Sequence, residues 1–310
     1  MGKVAFVFPG QGAQAVGMGF DAYNENEAAK NVYDRFNKIL DRNLTKVIFE
    51  GPDEDLKITT NTQPAILATS IALLEALKSK IQISADYLAG HSLGEYAALY
   101  QAGVLSLDDT IRAIGKRSEL MGQIKGGAMA AVLGLSQDKV ETAVEEASKT
   151  AYVDVANYNT PEQIVITGSE EGIKKASELL SEAGAKRVIP LAVSGAFHSQ
   201  MMKDAGLSFA EFASELEIND AKIPVITNVD AAETTSADEF KAKMPEQIYS
   251  SVYWTQTVQS LEEKGVDTIL EIGPGKVLAG LVKKIAPSIK VVNIFDLKSL
   301  DAFVESFQEV

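Results

Sequence analysis

Two textures of apolar and polar positions alternate along the chain. Val4–Phe8 is a near-continuous apolar run, as a parallel strand buried on both faces requires. From residue 61 to 80 the spacing is helical instead: Ile66, Ser70, Leu73, Leu74 and Leu77 share one face, and Pro64 lies near the first turn, where its missing N–H costs nothing. Tyr87–Gly90 predicts a short strand entering a glycine-bounded turn, with a helical run over Glu95–Ala102. Ser106 with Asp109 three residues later forms a capping-box start for a helix over Leu107–Met121. Strands alternating with amphipathic helices predict an α/β sheet with crossover helices.

Gly126-Gly127 interrupts this pattern. A strand over Ala128–Leu135, a helix over Gln137–Thr150, strands over Val153–Asn157 and Gln163–Gly168, a helix over Glu170–Ala183 and a strand over Lys186–Val193 follow. That βαββαβ order is the one of a ferredoxin-like unit. After Ser194 the first pattern resumes, with strands at Ile223–Asn228, Thr268–Ile272 and Val291–Ile294. Helices are expected at Ser199–Leu216, Ala237–Tyr249, Thr255–Lys264 and Lys276–Ile285. The expected organisation is an α/β core domain of residues 1–125 and 195–310 carrying an inserted small domain of residues 126–194.

Composition narrows the chemistry. With 46% hydrophobic residues among 310, the chain can bury a sizeable core. The absence of cysteine excludes disulfides, thiolate metal sites and a cysteine nucleophile, and two histidines leave little room for a histidine-rich metal site, so no metal is expected. A net charge of −14 repels nucleic acid and anionic membranes. The apolar run before Pro9 is too short for a signal segment or a bilayer span, and Phe6 stands where myristoylation needs Ser or Thr. A cytoplasmic globular protein, without nucleic-acid or membrane partners, is the expectation.

Gly90-His91-Ser92-Leu93-Gly94 matches G-x-S-x-G, a sharp strand-to-helix turn that presents a serine and leaves no room for side chains two residues to either side. Serine at its ordinary pKa needs a base. His91, adjacent in the chain, points away across the strand end, so His198 is the candidate by elimination. A third group to orient the imidazole is not legible: several acids are present and none has a telling context. Pro9-Gly10-Gln11-Gly12-Ala13-Gln14-Ala15 also fits a dinucleotide-binding turn. That reading lacks its second strand, because residues 21–42 are polar and helix-like; the turn can equally offer backbone N–H groups to an oxyanion.

Phe8-Pro9-Gly10-Gln11-Gly12, Gly90-His91-Ser92-Leu93-Gly94-Glu95, Gly195-Ala196-Phe197-His198-Ser199 and Glu271-Ile272-Gly273-Pro274-Gly275 occur in that order. Together they resemble the malonyl-CoA:acyl carrier protein transacylases of bacterial fatty acid synthesis, over nearly the whole chain. The resemblance implies an α/β-hydrolase-like core with a ferredoxin-like insert. It implies a malonyl ester on Ser92 with His198 as base, backbone N–H groups of Gln11 and Leu93 as the oxyanion hole, and the main-chain carbonyl of Gln247 orienting the histidine. Gln63 matches a pocket-lining position. The Tyr253-Trp254 pair departs from the Arg or Gln that many members carry before the Trp, which bears on the rim and not on the chemistry.

Malonyl differs from acetyl by a carboxylate, and Arg117 matches the family's substrate arginine, whose planar fork suits a carboxylate. Phe197 resembles the pattern that leaves little space for a branched acyl group. An acidic acceptor and a phosphorylated donor require a local positive patch on this acidic chain. Lys276, Lys283 and Lys284, seven and eight residues apart, are expected to share a helix face that binds the carrier protein. The implied partners are malonyl-CoA, a substrate and not a cofactor, and acyl carrier protein; no cofactor is expected, and the chain is expected as a monomer. A serine hydrolase or thioesterase, with water as acceptor, remains the alternative. A dinucleotide-dependent reductase or a non-catalytic scaffold would have no use for the elbow serine.

Overall fold

A computed structural model of the chain describes residues 2–193 and 195–308. Among the described residues ten strands form two sheets: β1 Lys3–Phe8, β2 Tyr87–Gly90, β3 Ala128–Leu133, β4 Val153–Thr160, β5 Gln163–Gly168, β6 Arg187–Pro190, β7 Val225–Ile226, β8 Glu233–Thr234, β9 Val266–Ile272 and β10 Lys290–Ile294. The larger sheet has the order β10-β9-β1-β2-β7-β8, parallel except for the short edge strand β8. β1 is central, and the two-residue period of a strand divides its side chains between two hydrophobic layers. Phe6 and Phe8 enter one layer, Ala5 and Val7 the other.

The helix expected from residue 61 runs over Thr59–Lys80 and is buried on almost every side, not along one stripe. It lies beneath the sheet, packed by the helices Glu27–Ile39, Leu107–Gln123 and Leu297–Gln308, and a helix surrounded in this way must be apolar all round. Pro64 cannot donate to the Thr60 carbonyl one turn back, and the Arg42 guanidinium takes that carbonyl instead. Ser106 caps the helix Leu107–Gln123, accepting from the Asp109 amide at 3.1 Å. Residues 27–39, where a dinucleotide fold would need a strand, are helical.

The smaller sheet is antiparallel in the order β4-β5-β3-β6, with the helices Gln137–Ser148 and Glu170–Glu182 packed on it through Val140, Val144, Ile173 and Leu180. The chain leaves and rejoins the larger unit side by side, where Gly126 pairs with Gly195; the expected boundary at Ser194 lies outside the described residues. The two units also meet at β4: the Val252 N–H donates to the Ala156 carbonyl at 2.8 Å, the Tyr158 N–H donates to the Val252 carbonyl at 2.9 Å, and the Tyr158 and Tyr253 rings stack. Among the described residues no helix is long and apolar enough to cross a membrane.

Several elements are shorter than the sequence pattern suggests. The run at 223–228 gives only the two-residue β7, and the helix expected over Ser199–Leu216 starts as one 3₁₀ turn and becomes α-helical over Lys203–Ala213. The short helices Leu44–Glu50 and Asp53–Leu56 and strand β8 carry too little periodic signal to be read from the sequence; the helix Leu297–Gln308 does carry it, through Leu297, Leu300, Phe303 and Val304, and was missed by the sequence reading.

Candidate active site

The register that pairs Phe8 with Gly90 brings the turn after β1 beside the turn after β2, at the carboxyl edge of the sheet. Ser92 sits at the second turn with φ of 52°, a left-handed conformation that a serine rarely adopts. Both glycines of the motif are explained by contact: a Cβ at Gly90 would lie 2.0 Å from the Gly94 carbonyl carbon, and one at Gly94 would lie 2.2 Å from the Phe8 oxygen. The Ser92 N–H donates to Asn228 Oδ1 at 2.8 Å, and the Ser92 carbonyl accepts from Gln247 Nε2 at 3.0 Å.

His198 Nε2 lies 2.8 Å from Ser92 Oγ, across 106 residues of sequence. Its Nδ1 faces two main-chain carbonyls, Gln247 at 2.9 Å and Ser250 at 3.1 Å. A carbonyl only accepts, so Nδ1 carries the hydrogen and Nε2 presents its lone pair to the serine. Burial, with the Arg117 charge and His91 adding to it, lowers the imidazole pKa to about 3, so the ring is neutral at physiological pH. His91 turns away from Ser92, as expected from its place in the chain; its Nε2 meets Asn159 Oδ1 at 2.8 Å and its ring packs against Trp254.

Arg117 is the residue the geometry changes most. It is 1% exposed, and its guanidinium donates to Gln63 Oε1 at 2.6 Å, to Gln247 Oε1 at 3.0 Å and to Ser92 Oγ at 3.1 Å. All three acceptors are neutral, Nε has no partner, and among the described residues no carboxylate lies within ion-pair range. Buried cations are ordinarily paired; this one has hydrogen bonds but no carboxylate in ion-pair contact, the buried Glu95 carboxyl acting on it only from a distance, and it stands beside the serine hydroxyl.

These groups open into a cavity of about 340 Å³ lined by Gln11, Gln63, Ser92, Leu93, Arg117, Phe197 and His198, among others. The Gln11 and Leu93 amides donate to no acceptor among the described residues, which leaves both available to a developing oxyanion. A larger cavity of about 500 Å³ at the opposite edge, lined by Val4, Leu270, Val292 and Phe303, holds none of these residues. A hydroxyl against a neutral imidazole, two free amides and a buried cation can perform acyl transfer through a serine ester. Residues 5–298 match the family model described as the acyl transferase domain. The chain belongs to the acyl transferase family.

Among acyl transferases, the malonyl CoA-acyl carrier protein transacylase of Bacillus subtilis (strain 168) is 44% identical over 313 residues, covering 100% of this chain and 98% of that protein. An acyl carrier protein S-malonyltransferase from Vibrio cholerae superposes with a TM-score of 0.94 at 40% identity, over 97% of this chain and 99% of its own. A malonyl-transacylase solved in complex with its type II PKS acyl-carrier protein superposes with a TM-score of 0.95 at 36% identity, over 98% and 99%.

The lysine patch of this acyl transferase needs correction. The helix spans Val277–Ile285; Lys276 precedes it with φ of −145°, and its ammonium sits over the Phe295 ring. The seven-residue spacing therefore does not place Lys276 on a face shared with Lys283 and Lys284, which are exposed on the last turn. The Glu271 motif has a structural explanation: its buried carboxylate accepts from the Leu278 and Ala279 amides at 2.9 and 2.8 Å, at the start of that helix. Three residues at the site were missed by the sequence reading: Asn228, Glu95 and Ser250, whose carbonyl is the second acceptor for His198 Nδ1. Glu95 is adjacent to the motif, but an acid at the start of a helix is common enough to carry no signal of its own. Among the described residues, no cluster of three or more His, Cys, Asp or Glu side chains could hold a metal ion.

Proposed function

We propose that this chain transfers a malonyl group from malonyl-CoA to the phosphopantetheine thiol of acyl carrier protein, by way of an ester on Ser92. The observation that carries the donor is Arg117: a buried guanidinium with neutral partners, within hydrogen-bond reach of the reacting oxygen, is completed by a substrate that brings its own carboxylate. The activity for which the relatives are named supports the same donor and acceptor, and the solved complex supports a carrier protein as the docking partner.

In the first half-reaction His198 Nε2 takes the Ser92 proton as Oγ attacks the thioester carbonyl. The tetrahedral oxyanion receives the Gln11 and Leu93 amides. Collapse breaks the C–S bond, and His198 returns the proton to the departing thiolate, giving free CoA and malonyl-Ser92. In the second half-reaction the carrier thiol gives its proton to His198 and attacks the ester, and Ser92 leaves with that proton. The Gln247 and Ser250 carbonyls stabilise the imidazolium formed in each half. Each proton and leaving group is accounted for by these side chains and the two substrates, so the cycle calls for no cofactor. Gln63 holds the Arg117 fork, and Phe197 closes the acyl cavity.

The layout belongs to the same proposal. The larger unit, residues 1–125 and 195–310, is an α/β-hydrolase-like core, and residues 126–194 are a ferredoxin-like insert whose 4-1-3-2 strand order supports that assignment. Exposed Lys283 and Lys284 are assigned to carrier docking, and the protein acts in the cytoplasm as a monomer. The test is intact-mass measurement after brief exposure to malonyl-CoA. A gain of one malonyl unit, discharged by holo carrier protein and absent in Ser92→Ala, is expected. Discharge to water at the same rate without carrier would favour a hydrolase.

A further inference from the structure

We infer that Asn228 is a positioning residue for acyl transfer, holding the Ser92 backbone in its left-handed conformation, and that Glu95 fixes Asn228 in turn. The inference rests on the reading of Ser92 as the acylated residue.

Asn228 is fully buried, and its four polar groups are each engaged. Its side chain spans the turn: Oδ1 accepts from the Ser92 N–H at 2.8 Å, and Nδ2 donates to the Gly90 carbonyl at 2.7 Å. Its own N–H donates to Glu95 Oε2 at 2.7 Å, and its carbonyl accepts from the Tyr253 N–H at 3.0 Å. One side chain therefore bridges the residue two before the serine and the serine itself, the two points between which the chain must turn sharply. Left-handed backbone at a non-glycine residue is strained and persists only where the surroundings over-determine it. Gln247 completes the grip from the other side by donating to the Ser92 carbonyl.

Glu95 has no role in the proton transfers, yet it is 2% exposed. Burial raises its pKa to about 7, against the opposing pull of the Asn228 amide, the Gln247 side chain and Arg117. A carboxyl is costly at such a place unless it does something there. What it does is accept the Asn228 amide from one turn beyond the nucleophile, which ties the 228 loop to the helix that follows the elbow. The same grip sets the direction of the Leu93 amide, because that peptide unit follows directly from the Ser92 backbone. A misplacement of about 1 Å at a reacting group costs on the order of 100-fold in rate.

The test is the rate of Ser92 malonylation by malonyl-CoA, followed by quenched intact-mass measurement, with Tm recorded for each variant. Asn228→Ala is expected to acylate about 100-fold more slowly, with KM for malonyl-CoA changed less than threefold and cooperative unfolding retained. Glu95→Leu is expected to fall with it, Glu95→Gln to recover at least tenfold over Glu95→Leu because the amide oxygen still accepts, and the double variant Asn228→Ala/Glu95→Leu to be no slower than Asn228→Ala. Should Asn228→Ala not fold, Asn228→Asp keeps the shape but replaces the donor to Gly90 by a carboxylate, and a loss of at least tenfold is expected. Wild-type rates in the folded Asn228 variants, or a rise in KM with kcat intact, would overturn the positioning role. A wild-type protein that takes up no malonyl would instead remove the underlying reading of Ser92.

Discussion

Arg117 Nη2 donates to Ser92 Oγ at 3.1 Å, so the hydroxyl that faces a base on one side faces a permanent cation on the other. Two glutamine side chains hold the guanidinium in place without neutralising it. A carboxylate two bonds from the reacting carbonyl would supply the missing ion-pair contact at the moment the acyl group arrives.

Arg117→Ala is accordingly expected to lose malonylation by about three powers of ten while retaining acetylation from acetyl-CoA, as read by the mass of the acyl-enzyme. Arg117→Lys restores charge but not the fork and is expected to recover little. Equal loss with both donors would make the arginine structural.

His198→Gln is expected to lower transfer by roughly 10³-fold, within the usual range for losing a general base. It also changes the acid stability profile. The folded imidazole titrates near pH 3 against an ordinary value of 6.5. Between those values the unfolded chain binds a proton that the folded one does not, so His198 removes stability as pH falls, at up to about 1.4 kcal/mol per pH unit. Glu95 has the opposite sign: its pKa is raised to about 7, so it removes stability as pH rises towards that value. Urea unfolding at pH 4.5 and 7 should show the wild type losing more stability on acidification than His198→Gln. The same loss in both would contradict the buried neutral imidazole.

Gly94→Ala places a methyl 2.2 Å from the Phe8 carbonyl oxygen, which belongs to the central strand and cannot yield. Destabilisation of at least about 3 kcal/mol is expected, measured as a fall in Tm or as loss of soluble protein. Gly12→Ala is the control: it has φ of 103° but nothing within 4 Å of the added methyl, so only backbone strain is expected.

Lys283→Gln/Lys284→Gln is expected to raise KM for carrier protein and flatten its dependence on salt, with acylation by malonyl-CoA unchanged. Lys276→Gln should have the smaller effect on carrier KM, since its ammonium is engaged over the Phe295 ring. If carrier kinetics in the double variant match wild type across salt concentrations, the docking surface lies elsewhere.

The alternation of buried strands and helices, the βαββαβ order of the smaller sheet, the turn at Ser92 and the pairing of His198 with it were all legible because each leaves a local mark: a period, a pair of glycines, a solitary imidazole. The helix at Thr59–Lys80 was legible as a helix but not as one enclosed on every side, since its surroundings come from helices far away in sequence. The lysine spacing misled because helical periodicity applies only inside the helix, and Lys276 lies just before it.

By itself, then, the sequence determined where the chain turns and which side chains are able to react, since steric demands and intrinsic pKa values travel with the residue. Tertiary structure alone decided what holds them. The orientation of His198 comes from the main-chain carbonyls of residues 247 and 250, a group every residue possesses and no sequence marks. Asn228 is one asparagine among many until folding sets its amide across the turn at Ser92. The charge of Arg117 is meaningful only because the three acceptors that fold against it are all neutral.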